Sequence, residues 1–303
     1  MLLVGGGGFL GSHLRDVLRK RQKSCIIVSR NPSRFQDRLS LNETVISYHD
    51  VDNPDSMPTG GIGSVVYLVG GSSPGANPGS AAKEIVQTVV PASADFSKFS
   101  EIYPNATHIL ISSGGAVYGQ ITTDFVNETE IPRPISPYGL GKLLIEESLK
   151  FYARTKGFPF RILRVSNAVG VHHTNHNQGI VAAALRAAKS GQPLVLFGDG
   201  SAIRDYVHAD DVADAILLSN ESANLRSDIW NIGSGVGHSI LDIVTLVERV
   251  TARTIHIQKT NSRPNDVSRI VLDCHKAAAD LNWHPARDLA SSIEELWNLQ
   301  KID

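Results

Sequence analysis

Residues 2–14 read LLVGGGGFLGSHL. Leu2, Leu3 and Val4 make a short apolar run, as a buried strand does. From Ser12 the pattern turns helical, with Leu14, Val17 and Leu18 on one face. Between them Gly5, Gly8 and Gly11 fit G-x-x-G-x-x-G. A tight turn, a close approach of backbone to a pyrophosphate and close packing of helix on strand each demand glycine there. A helix N-terminus adds unpaired N–H groups and the positive end of a dipole. Another apolar run, residues 25–28, follows at βαβ spacing. The stretch therefore predicts a dinucleotide-binding turn, with Gly5, Gly8, Phe9, Leu10 and Gly11 at the cofactor.

Residues 28–34, VSRNPSR, close that second strand. In such a unit the strand end faces the adenosine ribose, and an acidic residue there hydrogen-bonds the ribose hydroxyls. Here Ser29 holds the place and Arg30 follows, with Arg34 four residues on. A guanidinium pairs with a 2′-phosphate through charge-assisted hydrogen bonds. Ser29, Arg30 and Arg34 thus predict NADP(H) in preference to NAD(H). A solvated loop is the plainer alternative.

Strands are expected at 45–52, ending in Asp50 and Val51 as an adenine contact, and at 64–71, ending with Leu68, Val69 and Gly70 beside the cofactor. A loop at 70–80 and a helix at 81–99, kinked or interrupted at Pro91, follow. Further strands are expected at 108–113 and 160–165, the latter closing on Val165. Strands alternating with helices imply an α/β fold, a Rossmann-type doubly wound parallel sheet. Residues 1–165, with 206–232 returning through the helix HADDVADAILLSN (208–220), are expected to form the dinucleotide-binding domain. Residues 166–205, including a strand in LVLFGDG (194–200), and 233–303 are expected to form a smaller α/β substrate lobe.

The composition is consistent with this and excludes other classes. The 303 residues carry 29 basic and 30 acidic side chains, and 42% are apolar. A near-neutral balance gives no reason to expect a nucleic-acid or anionic-membrane partner. No apolar run approaches the ~20 residues that span a bilayer, and the run before the glycines is too short for a signal peptide. Two cysteines, Cys25 and Cys274, form no disulfide framework. A cytoplasmic protein is expected.

The chemistry is expected on PISPYGLGKLLIEESLKFY (134–152). Ser136 is placed to cap a helix and Pro137 to begin it. Tyr138 and Lys142, four residues apart, then share a face. An ammonium beside a phenol stabilises the phenolate. Such a pair moves a proton at an alcohol or carbonyl oxygen while hydride moves at the carbon. Alone, Y-x-x-x-K also describes a packed tyrosine and a solvated lysine; the preceding dinucleotide turn and the Ser112-Ser113 strand end favour chemistry. His172, His173 and His176 cluster, and His172 and His176 have a four-residue spacing. A metal needs that spacing on a helix plus a third ligand, and VHHTNHNQG looks like a loop, so a polar substrate-site loop is expected and no metal.

GGGGFLGSHL, SSGGAVYG, SPYGLGK, RVSNAVG and FGDGSAIRDYVHADDVADAI together resemble the extended short-chain dehydrogenase/reductases, the nucleotide-sugar epimerases, dehydratases and ketoreductases. The resemblance runs to about residue 295 through RPNDVSRIVLDCHKAAADLNWHPARDL (263–289), where Asn265 and Asn282 replace glycines. It implies Tyr138 as acid/base, with Lys142 holding the ribose. It implies a nucleotide-diphosphate sugar met by Arg204 and Arg263 and lined by Asn167, Gln178, Gly179, Ile180 and Val181. It also implies a homodimer through the Tyr138 helix and the helix before it, for which Leu143, Leu144, Ile145 and Leu149 offer apolar surface; burial of all four within the subunit is the alternative.

The chain departs from that pattern in places. Gly114 stands where the family has Ser or Thr, leaving Ser113 as the nearest hydroxyl and a third catalytic candidate. A serine at 114 would restore the family's arrangement if the backbone tolerates a side chain. Gly115 and Ala116 stand where the 4,6-dehydratases have Asp-Glu, which argues against dehydration. Val69-Gly70 replaces an alanine pair. Two enzyme readings follow, an NADPH-dependent reductase of a 4-keto nucleotide sugar and a 4-epimerase. A cofactor-binding sensor or scaffold without turnover is the reading from another class.

Overall fold

A computed structural model describes residues 1–35, 38–53, 57–58, 60–69, 81–172, 179–222, 227–262 and 266–299. Its centre is a seven-stranded sheet of β1 (Leu2–Val4), β2 (Cys25–Ser29), β3 (Glu43–Ser47), β4 (Ser64–Tyr67), β5 (Thr107–Ser113), β6 (Phe160–Val165) and, later in the chain, β10 (Asp228–Ile232). The order across the sheet is β10-β6-β5-β4-β1-β2-β3. Every pairing is parallel. Order reverses between β1 and β4, so the crevice for a ligand opens beyond Val4 and Tyr67.

Both faces are covered, as a parallel sheet requires. On one face α1 (Phe9–Lys20) and α6 (Ala209–Glu221) bury Leu14, Leu18, Val212 and Ile216 against Leu3, Ile27, Ile109 and Leu163. On the other, α3 (Val90–Ile102) and α4 (Pro137–Lys156) bury Phe96, Phe99, Ile145 and Leu149 against Leu2, Val65, Leu110 and Ile162. Ile145 and Leu149 are thus used inside the subunit. Of the four apolar residues assigned above to a dimer surface, only Leu143 and Leu144 keep part of their side chains exposed.

Three expectations are corrected in detail. The third strand is shorter and earlier than 45–52. It ends at Ser47, whose hydroxyl accepts from the His49 N–H and starts a 3₁₀ turn over Tyr48–Asp52. The fourth strand ends at Tyr67. The helix of 81–99 is interrupted, as expected, just ahead of Pro91, and it runs on to Ile102 rather than 99; the path starts at α2 (Ala81–Glu84). It passes through a π turn at Ile85–Val89 and runs on as α3. Proline lacks an N–H and crowds the carbonyl four residues back, and the wider turn ahead of it relieves both.

The remaining elements form two small sheets with flanking helices. β9 (Ile203–His208) pairs with β7 (Asn167–Val169), β11 (Gly237–Ser239) and β13 (Arg269–Ile270), and β8 (Leu194–Phe197) pairs with β12 (Ile257–Thr260). α5 (Ile180–Ser190), α7 (Ile240–Thr251) and α9 (Leu289–Leu299) share a separate core of Leu185, Ile243, Val247 and Ile293. α8 (His275–Leu281) lies beside β10. At that sheet edge, Glu128 accepts from the Asn231 N–H (2.7 Å), Asp228 accepts from the Ile229 N–H (2.7 Å), and Lys276 donates to the Ile229 carbonyl (2.9 Å).

Candidate active site

The glycine turn joins β1 to α1. Gly8 N–H donates to Gly5 O (3.1 Å) and Ser12 N–H to Gly8 O (2.8 Å). A Cβ on Gly11 would lie 2.7 Å from the backbone of Gly6, so only glycine lets α1 sit this close to the turn. Gly8 caps α1 without a side chain. Leu68 and Val69 close the other side of the turn, Leu68 N–H donating to Val4 O (2.9 Å). Backbone donors at a helix N-terminus, in a cradle too tight for a Cβ, fit a dinucleotide's pyrophosphate. Gly70 lies outside the described residues.

At the end of β2, Ser29 Oγ accepts from the Asn31 N–H (3.1 Å), which ties the hydroxyl to its own loop. Arg30 and Arg34 are exposed, and among the described residues neither guanidinium has an ion pair or hydrogen bond. Asp50 is exposed. Val51 and Val165 are buried in the hydrophobic clusters that pack the sheet, so their side chains serve the core and only backbone at these positions is left for a ligand.

Ser136 caps α4 as its place before Pro137 suggested, accepting from the Gly139 N–H (3.1 Å). The first turn then presents Tyr138, half-buried, with Lys142 Nζ 5.9 Å from its ring centroid. Lys142 is 7% exposed and donates to Ile111 O (3.3 Å), fixing the ammonium beside β5. Ser113 ends β5, part-exposed. Alternation along the strand puts Ser112 on the α4 face and Ser113 on the other. Among the described residues neither Ser113 Oγ nor Tyr138 OH has a hydrogen-bond partner.

Gly114 follows, and the condition for a serine there, room for a side chain, is not met unless its neighbours shift. A Cβ would lie 2.6 Å from Leu272 Cδ1 and 2.9 Å from Arg164 O. Leu272 comes from the stretch after β13. It is wholly buried with Val117, Tyr118 and Val126, and its N–H donates to the Asp205 carboxylate (3.2 Å).

Beneath the site runs a buried polar network that sequence reasoning missed. Ser112 donates to Glu146 (2.5 Å), Arg164 donates to Glu146 (2.7 Å) and to Tyr118 OH (3.1 Å), and Tyr118 donates to Asn231 (2.7 Å). Burial pushes the Tyr118 phenol up to about 12, and it stays a donor. The signal was present in LLIEESL: Glu146 lies eight residues after Tyr138 and four after Lys142, inside an apolar run. The network joins β5, α4, β6 and β10 behind the Tyr138–Lys142 turn.

On the opposite side, Asn167 donates to Asp205 O (3.1 Å). Arg204 pairs with Asp266 (2.5 Å) and donates to Ile203 O (2.8 Å), so an anionic ligand would compete with Asp266 for it. Gly179, at φ +84°, caps α5; Ile180 is half-buried, while Val181 packs in the small core. Gln178, Arg263, His173 and His176 lie outside the described residues. His172 pairs with Asp16 (2.6 Å) and packs edge-on against His13. Among the described residues no three His, Cys, Asp or Glu side chains are grouped to hold a metal, and no helix is long and apolar enough to cross a membrane. Cys25 and Cys274 are free thiols.

A family model described as the NAD dependent epimerase/dehydratase family matches residues 1–233. A putative UDP-glucose 4-epimerase of Methanocaldococcus jannaschii is 28% identical over 309 residues, covering 99% of this chain and 98% of the relative. A dTDP-4-dehydro-6-deoxyglucose reductase of Escherichia coli is 26% identical over 312 residues, covering 98% and 96%. The crystal structure of UDP-glucose 4-epimerase with UDP-glucose from Thermotoga maritima superposes with a TM-score of 0.87 at 28% identity, covering 100% of this chain and 99% of that one.

Proposed function

We propose, from the premise that this chain belongs to the NAD dependent epimerase/dehydratase family, that it is an NADP(H)-dependent oxidoreductase acting at C4 of a nucleotide-diphosphate sugar. The favoured reaction is reduction of a 4-keto sugar. The observation that carries the cofactor reading is the pair of unpartnered, exposed arginines at the end of β2, where an acid would favour NAD. NADPH is the usual reducing pool, and this gives the reaction its direction. The reduced cofactor, when bound, supplies the hydride.

The chain's own groups supply the rest. Gly5, Gly8 and Gly11, with Phe9 and Leu10, would hold the pyrophosphate at the start of α1, and Leu68, Val69 and Gly70 would wall the nicotinamide side. Tyr138 gives its hydroxyl proton to the C4 oxygen as that oxygen gains charge, and solvent restores it. Lys142, held beside β5 by Ile111 O, orients the ribose and offsets charge on the tyrosine oxygen. Ser113 would steady the C4 oxygen. Arg204 and Arg263 would take the diphosphate, and Asn167 and residues 178–181 the rest of the sugar nucleotide. Residues 1–165 with 206–232 would bind cofactor, and 166–205 with 233–303 substrate. A cytoplasmic homodimer, formed through the α3 and α4 faces that leave Val90 and Phe151 exposed, completes the reading; light scattering at micromolar concentration tests it.

A second reading is 4-epimerisation, in which the same groups remove and return the C4 hydrogen with cofactor retained. The names of two of the three relatives favour it, while the third is a reductase. Mass spectrometry of copurifying ligands separates the two. NADP released with a sugar nucleotide, and stoichiometric NADPH consumption with a 4-keto sugar nucleotide, support the reductase. Bound NAD, with interconversion of C4 epimers and no net redox change, supports the epimerase.

A further inference from the structure

Gly7 is not one of the glycines spaced for the phosphate turn, yet a side chain there would displace a buried ring. A Cβ there would lie 2.6 Å from Phe35 Cζ. Phe35 ends the 3₁₀ turn Pro32–Phe35 and is 5% exposed. Its ring also faces the Arg15 guanidinium, 5.1 Å from the centroid. Arg15 is itself fixed: it donates to Glu43 (2.8 and 3.1 Å) and to Arg38 O (3.2 Å). Phe35 is therefore held between the phosphate turn and a buried ion pair.

The loop that Phe35 closes carries both free arginines. Its inner geometry is set by short local bonds, Asn31 N–H to Ser29 Oγ, Ser33 Oγ to Asn31 Oδ1 (2.6 Å) and Arg34 N–H to Asn31 O (3.4 Å). Those bonds shape the loop. At its start the loop is joined to the glycine turn through β2, where Gly5 N–H donates to Val28 O (3.4 Å); at its far end the contact of Phe35 with Gly7 makes a second attachment. A charge-assisted hydrogen bond depends on placement within a few tenths of an ångström.

We propose that Phe35 is a positioning residue for cofactor selection: seated on Gly7 and backed by Arg15, it fixes where Arg30 and Arg34 stand relative to the pyrophosphate turn, and thereby the preference for a 2′-phosphate. The proposal rests on the NADP(H) reading. It concerns a residue that touches no cofactor and acts through two that do.

The test measures dissociation constants of NADPH and NADH by nicotinamide fluorescence for the parent and for Arg30→Ala, Phe35→Ala, Phe35→Leu, Gly7→Ala and Gly7→Ala/Phe35→Leu. Circular dichroism confirms folding of each. The expected result is that Phe35→Ala lowers the NADPH-over-NADH preference about tenfold, as imperfect placement of one hydrogen bond to a charged group would, with NADH binding little changed. Gly7→Ala, which displaces the ring, lowers the preference too. The shorter leucine makes room for the new methyl, so the double variant recovers part of it. If the parent itself prefers NADH, the NADP(H) reading falls and this proposal with it. If the parent prefers NADPH and Arg30→Ala abolishes that preference while Phe35→Ala and Phe35→Leu keep it, this proposal alone is overturned. Equal weakening of both cofactors by the Phe35 variants also overturns it, since that is what a merely structural residue would do.

Discussion

Leu272 stands where a side chain on Gly114 would have to go. The contact joins the strand end beside Tyr138 to the chain after β13, and it leaves glycine as the fitting residue at 114. Gly114→Ser is expected to destabilise the protein by about 1–3 kcal/mol, the usual cost of overpacking, without raising turnover. Leu272→Ala opens the space, so the double variant should lose less than the sum of the two single losses. Urea denaturation of the three variants checks this. A Gly114→Ser protein as stable as its parent would show that the leucine yields freely.

Tyr138 and Ser113 can be ranked by their loss. Tyr138→Phe removes the proposed acid and is expected to lower turnover by at least ~10²-fold, with cofactor binding intact. Ser113→Ala should cost about as much if its hydroxyl steadies the C4 oxygen. Steady-state rates on a 4-keto nucleotide sugar decide. Full activity of Ser113→Ala beside a dead Tyr138→Phe would hand the orienting role to a backbone N–H or a water. Full activity of Tyr138→Phe would take the acid's role from Tyr138, and a parent protein that binds cofactor but turns over no 4-keto nucleotide sugar would bring the sensor or scaffold reading forward.

Arg30 should discriminate between cofactors. Arg30→Ala is expected to weaken NADPH binding by about 1.5–3 kcal/mol, the worth of hydrogen bonds to a charged group, and NADH binding hardly at all. Equal losses in a fluorescence titration would count against the 2′-phosphate role.

Glu43 makes stability pH-dependent in a defined direction. Burial pushes its carboxyl up, but hydrogen bonds from Arg15, the Ser40 N–H and Arg19 outweigh that and hold it at about 2, below the ordinary 4.5. A carboxylate depressed by folding contributes fully above the unfolded value and loses its contribution as pH falls through the folded one. Glu43→Gln should therefore cost about 3 kcal/mol at pH 7, and the gap to the parent should close between pH 4.5 and 2. Urea midpoints across that range test it; a gap that stays constant would mean that the loss is one of packing alone.

The periodicity of LLVGGGGFLGSHL and of the later apolar runs suffices for a parallel sheet, because strand, turn and helix are local in sequence. The cap at Ser136 was legible for the same reason. The ends of β3 and β4 were not, since Ser47 ends its strand through a side-chain bond to the next turn. The interruption near Pro91 was legible from the proline itself, but its form as a π turn was not, because that is a response to packing that no composition announces. Leu272 against Gly114, and Phe35 against Gly7, join residues distant in the chain, and one sequence gives no sign of such pairs. Val51, Val165 and Val181 went to the core because an apolar residue near a site is most often its support.

At β10, the outermost strand on its side of the sheet among the described residues, Glu128 occupies the Asn231 N–H, and Asp228 and Lys276 occupy the N–H and carbonyl of Ile229. A strand from another molecule arriving there meets donors and acceptors that are already satisfied, beside charged side chains it would have to strip of water. Edge-to-edge growth into fibrils is thereby disfavoured at this end of the sheet. The same closure makes β10 unsuitable as an acceptor for engineered strand fusions, and a designer wishing to graft a peptide onto this protein would have to choose another surface.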